Sequence, residues 1–502
     1  MTTTNTLYQQ LTQTLVKIND IDMANTVLGW DKEVYLPAKG AARRTQQQST
    51  LAGIAHEMFT DPKVGDLLEQ LHARRDELDA RQQCNVKYAR EAYQNRTRFD
   101  KTFVERQTKL VSETYHAWVA ARKANDFKHQ YADALGKLVE LKREEAEIRG
   151  YEEHPYDALM DIFEPGAKVS ELDVLFKDVR EQLVDFVGQI RKQPQVENVF
   201  LHKHYDKDKQ WKYGLEVLKN MGYDFDAGRQ DISHHPFTTN FSSQDVRVTT
   251  RVDERNFGSM TWSCIHEGGH ALYEQGLPDA DYGLPTGQFV SLGIHESQSR
   301  LWENNVGRSL PYWKANYGAL QSLFSENLSG VSVHDFYQGI NKIEPSLIRV
   351  ESDELHYHFH VAIRYEIEKR LLDGSLQAAD LADCWNAMYK EYLGLDVPND
   401  NTGVLQDIHW AHGSLGYFAT YSLGSFYAAQ FFAQAEKAIP NLIQQIESGD
   451  TSALLAWLRE HVHQHGKLYT AQELCERITG EPLNFKYFME YARTKYGAIY
   501  RL

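Results

Sequence analysis

The segment from Met260 to Glu274 constrains this chain more than any other. It runs Met-Thr-Trp-Ser-Cys-Ile, then His266-Glu267-Gly268-Gly269-His270, then Ala-Leu-Tyr-Glu. Bulky apolar side chains recur at helical spacing on both sides of the polar five, which predicts a buried helix. Such a helix carries two imidazoles and a carboxylate at a cost unless those groups have partners. Residues four apart share a helix face, so His266 and His270 can converge on one ion. Gly268 and Gly269 are poor helix formers. Here they read as room for substrate or for the close approach of a neighbouring element.

Two histidines four apart with a Glu after the first form the HExxH pattern of zinc hydrolases, most often peptidases, in which Glu267 takes a proton from water. A catalytic zinc needs a third protein ligand and one open position. Gly276 stands six residues after His270, where the metzincin arrangement has a histidine, so that solution is excluded. A Glu on a following helix is the other solution. Beyond a loop at 283–288, the run from Phe289 to Asn304 has helical character and offers His295, Glu296 and Glu303. Spacing favours Glu296 only slightly.

These residues resemble the carboxypeptidase Taq family of metallopeptidases, M32. His295-Glu296-Ser297-Gln298 is similar to its third-ligand motif, HES(Q/G), which implies Glu296 as the ligand. His235-Pro236-Phe237 is similar to its HPF, and Asp245-Val246-Arg247-Val248-Thr249 to its DxRxT. Ile348-Arg349-Val350-Glu351-Ser352-Asp353 is similar to I(R/N)xxA(D/E), with Ser352 in place of the usual Ala. Residues 403–410 match GxxQDxHW, and Trp30-Asp31-Lys32-Glu33 and the stretch 150–159 also look like the family. The cluster His356-Tyr357-His358 departs from it, which bears on how the pocket is lined. The resemblance covers nearly the whole chain. It implies a mainly α, elongated, zincin-like (gluzincin) body with a deep active-site groove and a small β element beside the HExxH helix. It also implies a homodimer, and removal of single residues from peptides with a free carboxy terminus. Zinc is the expected metal, and cobalt suits the same N/O ligands.

The β element is legible in 245–252, where apolar and polar residues alternate with period two. Asp245, Arg247 and Thr249 then share one face, and the stretch reads as an edge strand against which an extended peptide could lie. A carboxypeptidase also needs a fixed cation for the terminal carboxylate, and the planar fork of Arg suits it. Arg349 is the first choice, carried on an expected helix that also presents Asp353, His356 and His360 near one face; Arg247 is the second. His235 belongs to a turn at the far end of the pocket. Gln406, His409 and Tyr421 are the remaining substrate candidates, with His409 and Tyr421 as donors to the oxyanion.

Length permits two or three domains, yet no Ser/Gly/Pro linker or fixed-period repeat interrupts the 502 residues, so 1–502 reads as a single catalytic domain. The formal net charge of −16, with no Lys/Arg stripe, argues against nucleic-acid binding. No apolar run approaches a membrane span and no leader pattern opens the chain. The four scattered cysteines lack a CxxC, and the expected compartment is the cytoplasm. Two other classes are weighed beside the carboxypeptidase: a zinc oligopeptidase or endopeptidase without the carboxylate clamp, and a metal-free helical binding module.

Overall fold

The computed structural model describes residues 3–502, and it is mainly helical with one small sheet. A long helix, Thr4–Val34, packs against a second, Ala41–Phe59, across the short turn at Pro37. Leu7, Leu11, Leu15 and Ile18 recur every three or four residues on the first helix. They pack with Phe59, Leu68, Leu71 and Val86 into a small apolar cluster of their own, joined by Leu284 from the catalytic half. Most buried apolar residues from Ala121 onward share a much larger core, which includes Trp302, Trp313 and Trp385.

The HExxH segment forms the helix Phe257–Gln275 as expected, capped by the Asn256 side chain, which accepts from the Gly258 amide. Both of its central glycines mark close approaches. A Cβ on Gly269 would lie 2.6 Å from the Gln298 carbonyl oxygen and 2.6 Å from Ser299 Cα, and one on Gly268 would meet Leu218 and Met221. Of the two roles left open for these glycines, the structure selects packing against neighbouring elements.

The sheet comprises β1 (Gly228–Ile232), β2 (Thr238–Ser242) and β3 (Asp245–Thr250), in the order β1-β3-β2. β1 runs parallel to β3 and β2 antiparallel, with a bulge between Asn240 and Ser242. This corrects the reading of 245–252 as an edge strand: β3 is the central strand, paired on both sides. Period-two alternation reports which face of a strand is buried and carries no information on its neighbours. The edge facing the HExxH helix is β2, whose Thr238 hydroxyl oxygen lies 3.0 Å from the Glu267 carbonyl oxygen. Thr250 and Ser263 hydroxyls, 2.6 Å apart, tie β3 to the same helix.

A second helix, Leu292–Arg300, follows and passes into a π-helical turn, Leu301–Gly307. The single helix expected over 289–304 is therefore shorter and changes winding after Arg300. Arg349 also departs from expectation. It sits in a 3-10 turn, Arg349–Glu351, and the helix it was assigned to starts only at His356. Asp353 does not pair with Arg349; its carboxylate instead accepts from the Leu355 and His356 amides, capping that helix. Among the described residues no helix is long and apolar enough to cross a membrane.

Candidate active site

His266, His270 and Glu296 come together on the facing sides of their two helices, each offering a ligand atom within 4.8 Å of the others. Glu296 Oε2 lies 3.6 Å from His266 Nε2 and 3.4 Å from His270 Nε2. Ligand atoms held tetrahedrally at about 2.0–2.2 Å from a zinc ion sit roughly 3.3–3.6 Å apart. The donor set thus has the spacing and the N/N/O composition that a divalent transition metal takes, and three protein ligands leave a fourth position open.

The surrounding groups fix both histidines in the ligating tautomer. His266 Nδ1 lies 2.9 Å from Glu303 Oε2, so donating its proton there leaves the Nε2 lone pair facing Glu296. His295 Nε2 lies 2.8 Å from Glu274 Oε1. With its proton given to that carboxylate, His295 Nδ1 is left to accept from His270 Nδ1, 2.6 Å away. His270 Nε2 is then unprotonated as well. Asn240 of β2 donates to the other oxygen of Glu274 and completes the chain. Of the three residues weighed as third ligand, Glu296 is the one that joins the two histidines in a group able to hold a metal ion, while Glu303 contacts His266 and His295 contacts His270. The π turn brings Glu303 to His266; its extra residue per turn is the local feature that spacing alone could not foresee.

Glu296 is buried, which opposes its charge, but Arg300 and His266 outweigh burial and hold its carboxyl well below the ordinary range. Arg300 Nε donates to Glu296 Oε1 at 2.7 Å, and its Nη1 reaches Glu303 at 3.3 Å. Glu267 points to β2, where Thr238 Oγ1 donates to its Oε2 at 2.6 Å. Burial raises the Glu267 carboxyl above its usual value, opposed by His266 and by the Thr238 hydrogen bond. A carboxylate moved toward neutrality is a better proton acceptor.

The helix Ala419–Ala438 closes one side of the metal site. Gly424 lets it approach: a Cβ there would lie 2.5 Å from Glu296 Cγ. It carries Tyr421, whose hydroxyl lies 3.3 Å from His409 Nε2. Burial pushes His409 down to about 4, so the ring is neutral, and its buried Nδ1 has no partner among the described residues. Tyr417, which the sequence reading passed over, packs edge-on to Tyr421 at 5.2 Å, and the charge of Glu296 acts on both phenols. It lies in the run Gly416–Tyr421, where an aromatic three and four residues from others was the available signal.

Arg349 is buried beside these rings. Its Nε and Nη2 donate to Asp407 Oδ1 at 3.0 and 2.9 Å, and its face lies 4.9 Å from the Tyr421 ring. Asp407 is shared with Arg364, whose Nε donates to Oδ2 at 2.7 Å. Two guanidinium groups on one carboxylate leave a net positive charge in this corner. Gln406 does not offer its amide to the cleft. Its Oε1 accepts from the Arg349 amide at 2.9 Å, and its Nε2 donates to Leu347 and Gly403 carbonyls, so it holds the Arg349 turn in place. Arg247 pairs with Asp245 through two 2.8 Å bonds and stacks between Trp30 and Phe241. His235 is exposed in the β1–β2 turn, as expected of a turn residue, and makes no contact with the three metal-site residues.

A family model, Carboxypeptidase Taq (M32) metallopeptidase, matches residues 10–496. The thermostable carboxypeptidase 1 of Thermus thermophilus is 37% identical over 510 aligned positions, covering 98% of this chain and 99% of the relative. Carboxypeptidase 1 of Bacillus subtilis is 36% identical over 489, covering 97% of each. Among solved structures, the M32 carboxypeptidase of Deinococcus radiodurans superimposes with a TM-score of 0.96 at 40% identity, covering 99% of this chain and 100% of the other.

Proposed function

Because this chain belongs to the carboxypeptidase Taq (M32) family and is a peptide hydrolase of the metallocarboxypeptidase type, we propose that it removes single residues from the free carboxy terminus of peptides, with Glu267 as general base and zinc held by His266, His270 and Glu296. The observation that carries this reading is the convergence of those three ligand atoms within 4.8 Å, with the Glu267 carboxylate on the next residue of the same helix. Cobalt is the alternative occupant on donor chemistry.

A divalent metal in this site supplies Lewis acidity, which polarises a carbonyl and makes water easier to deprotonate. The remaining steps belong to the chain. Glu267 accepts the proton of the attacking water and returns it to the leaving amine. Thr238 holds the Glu267 carboxylate in place through its Oε2 during both transfers. His409 and Tyr421 offer a neutral N–H and O–H toward the charge that develops on the scissile carbonyl oxygen. Arg349, with net positive charge around it, receives the terminal carboxylate; Arg247 is the second choice for that role. An extended peptide lies along β2, one of the two edge strands of the sheet. His235 borders the cleft from the β1–β2 turn. The whole chain acts as one catalytic unit and works as a homodimer in the cytoplasm.

The test is a pair of peptides that differ only in the carboxy terminus, free acid against amide, given to enzyme of measured metal content. We expect stepwise loss of residues from the free acid and little from the amide. Equal cleavage of both would make the protein a zinc oligopeptidase, and full activity at zero bound metal would remove the metal mechanism altogether.

A further inference from the structure

The tyrosine in the cluster His356-Tyr357-His358 has no part in the mechanism above, yet its hydroxyl accepts a hydrogen bond from the Arg349 side chain, as Asp407 does. Arg349 Nη1 donates to Tyr357 Oη at 3.0 Å. The same ring lies under Arg300, whose guanidinium is 4.7 Å from its centroid, and edge-on to Tyr421 at 6.1 Å. Tyr357 therefore stands between the cation that holds Glu296 and the cation assigned to the substrate carboxylate.

Its neighbours hold it there. His356 Nδ1 pairs with Asp353 Oδ2 at 2.6 Å, and its Nε2 is 3.1 Å from Arg191. His358 Nδ1 is 2.9 Å from Ser422 Oγ, on the helix that carries Tyr421. The first turn of the helix His356–Asp373 is anchored on both sides of Tyr357, and the residue is 7% exposed.

The direction of the hydrogen bond matters. Tyr357 Oη accepts from Arg349, so its own proton points elsewhere, and the hydroxyl makes no other hydrogen bond among the described residues. Each guanidinium nitrogen also donates one hydrogen bond, Nε and Nη2 to Asp407 and Nη1 to Tyr357. A carboxylate arriving at Arg349 therefore meets the phenol as well as the cation. A hydroxyl that already accepts from a cation is polarised toward donating, and a donor to an anion forms one of the stronger hydrogen bonds.

We propose that Tyr357 is a specificity-determining residue, whose hydroxyl donates directly to the terminal carboxylate of the peptide while accepting from Arg349. The proposal rests on the reading of Arg349 as the clamp. It makes recognition of the free acid a two-residue device, cation and phenol, in which the phenol also fixes which guanidinium nitrogen faces the substrate.

The experiment is a double-mutant cycle with Tyr357→Phe and Arg349→Ala, singly and together, on the free-acid peptide and its amide, with bound metal measured for each. Tyr357→Phe keeps the ring stacked under Arg300, so metal content should stay at the wild-type level. Its KM for the free acid should rise about ten- to a hundredfold with kcat little changed, and its weak turnover of the amide should not move. In the Arg349→Ala background the hydroxyl should still matter for the free acid, because it touches the carboxylate itself. Loss only when Arg349 is present would reduce Tyr357 to a positioning residue and overturn direct recognition. Wild-type KM and kcat in Tyr357→Phe would overturn it too. If Arg349→Ala alone keeps the free-acid preference, the clamp reading fails, and that result is distinct from either.

Discussion

Glu267 is separated from its neighbours' roles by one hydroxyl. Thr238 Oγ1 gives its only proton to Glu267 Oε2, leaving the other oxygen of that carboxylate without this bond. Glu267→Gln preserves shape and removes the proton acceptor, so kcat should fall roughly 10²–10⁴-fold while bound metal is retained. Normal turnover in a variant shown to hold its metal would end the assignment of Glu267 as base. Glu303 acts one step further out, through the tautomer of His266, and it balances Arg300 and Arg308. Those cations outweigh burial and hold its carboxyl well below the ordinary range. Glu303→Gln should weaken metal affinity by about 10–100-fold, read by competition with a chelator, with the kcat of fully loaded enzyme much less affected.

Three helices set the site, and glycines set the distances between them. Gly269 admits the backbone at Gln298 and Ser299, and Gly424 admits the stem of Glu296. In each case the intruding atom belongs to backbone or to a buried ligand, so it cannot swing aside. Gly269→Ala should push the Leu292–Arg300 helix away, costing about 1–3 kcal/mol or more and lowering metal affinity in the same variant. Gly318 is the control. It lies exposed in the helix Leu310–Leu323, and a Cβ there meets nothing within 4 Å. Gly318→Ala should therefore hold or raise Tm, by up to about 1 kcal/mol in stability. Equal behaviour of the two variants would show that helix spacing at Gly269 is not critical.

Over the whole molecule, buried titratable groups away from the ligands shape stability with pH. Burial pushes His358 and His463 down to about 3 and His409 to about 4. Unfolded, each titrates near 6.5. Below that pH the unfolded chain binds protons that the folded chain refuses, so their contribution is complete above 6.5 and lost as pH falls. Glu164, which caps the Leu292–Arg300 helix through Ser291 and the Gly293 amide, is raised by burial to about 7, as is Glu368. The folded chain holds those two protons longer than the unfolded one, so this stability is complete below 4.5 and lost as pH rises through 7. Between pH 4.5 and 6.5 the two sets of groups slope in opposite directions. In metal-free protein unfolded by denaturant, His463→Gln should lose less stability than wild type between pH 6.5 and 5, the gap growing by about 1.4 kcal/mol per pH unit. Parallel profiles would show that His463 does not carry the acid limb.

How much was legible without the structure follows from the range of the interactions involved. The HExxH helix, the buried face around it, Glu296 within its motif and the mainly helical character were readable, because helix periodicity and ligand spacing are local. The strand over 245–250 was readable as a strand for the same reason. Its central place in the sheet was not, since pairing partners leave no trace in a strand's own alternation. Likewise Glu303 and His295 could be seen as candidates, but only packing decided that one reaches His266 through a π turn and the other bridges His270 and Glu274. Arg349 was placed on a helix with Asp353 by spacing. The fold instead gave Asp353 to the helix cap and Arg349 to Asp407, 58 residues away. Local pattern determined what each segment becomes and which side chains it offers. The crowding of separate segments in one core decided which offered groups meet, because a buried charge takes whichever partner the packing brings within hydrogen-bond reach.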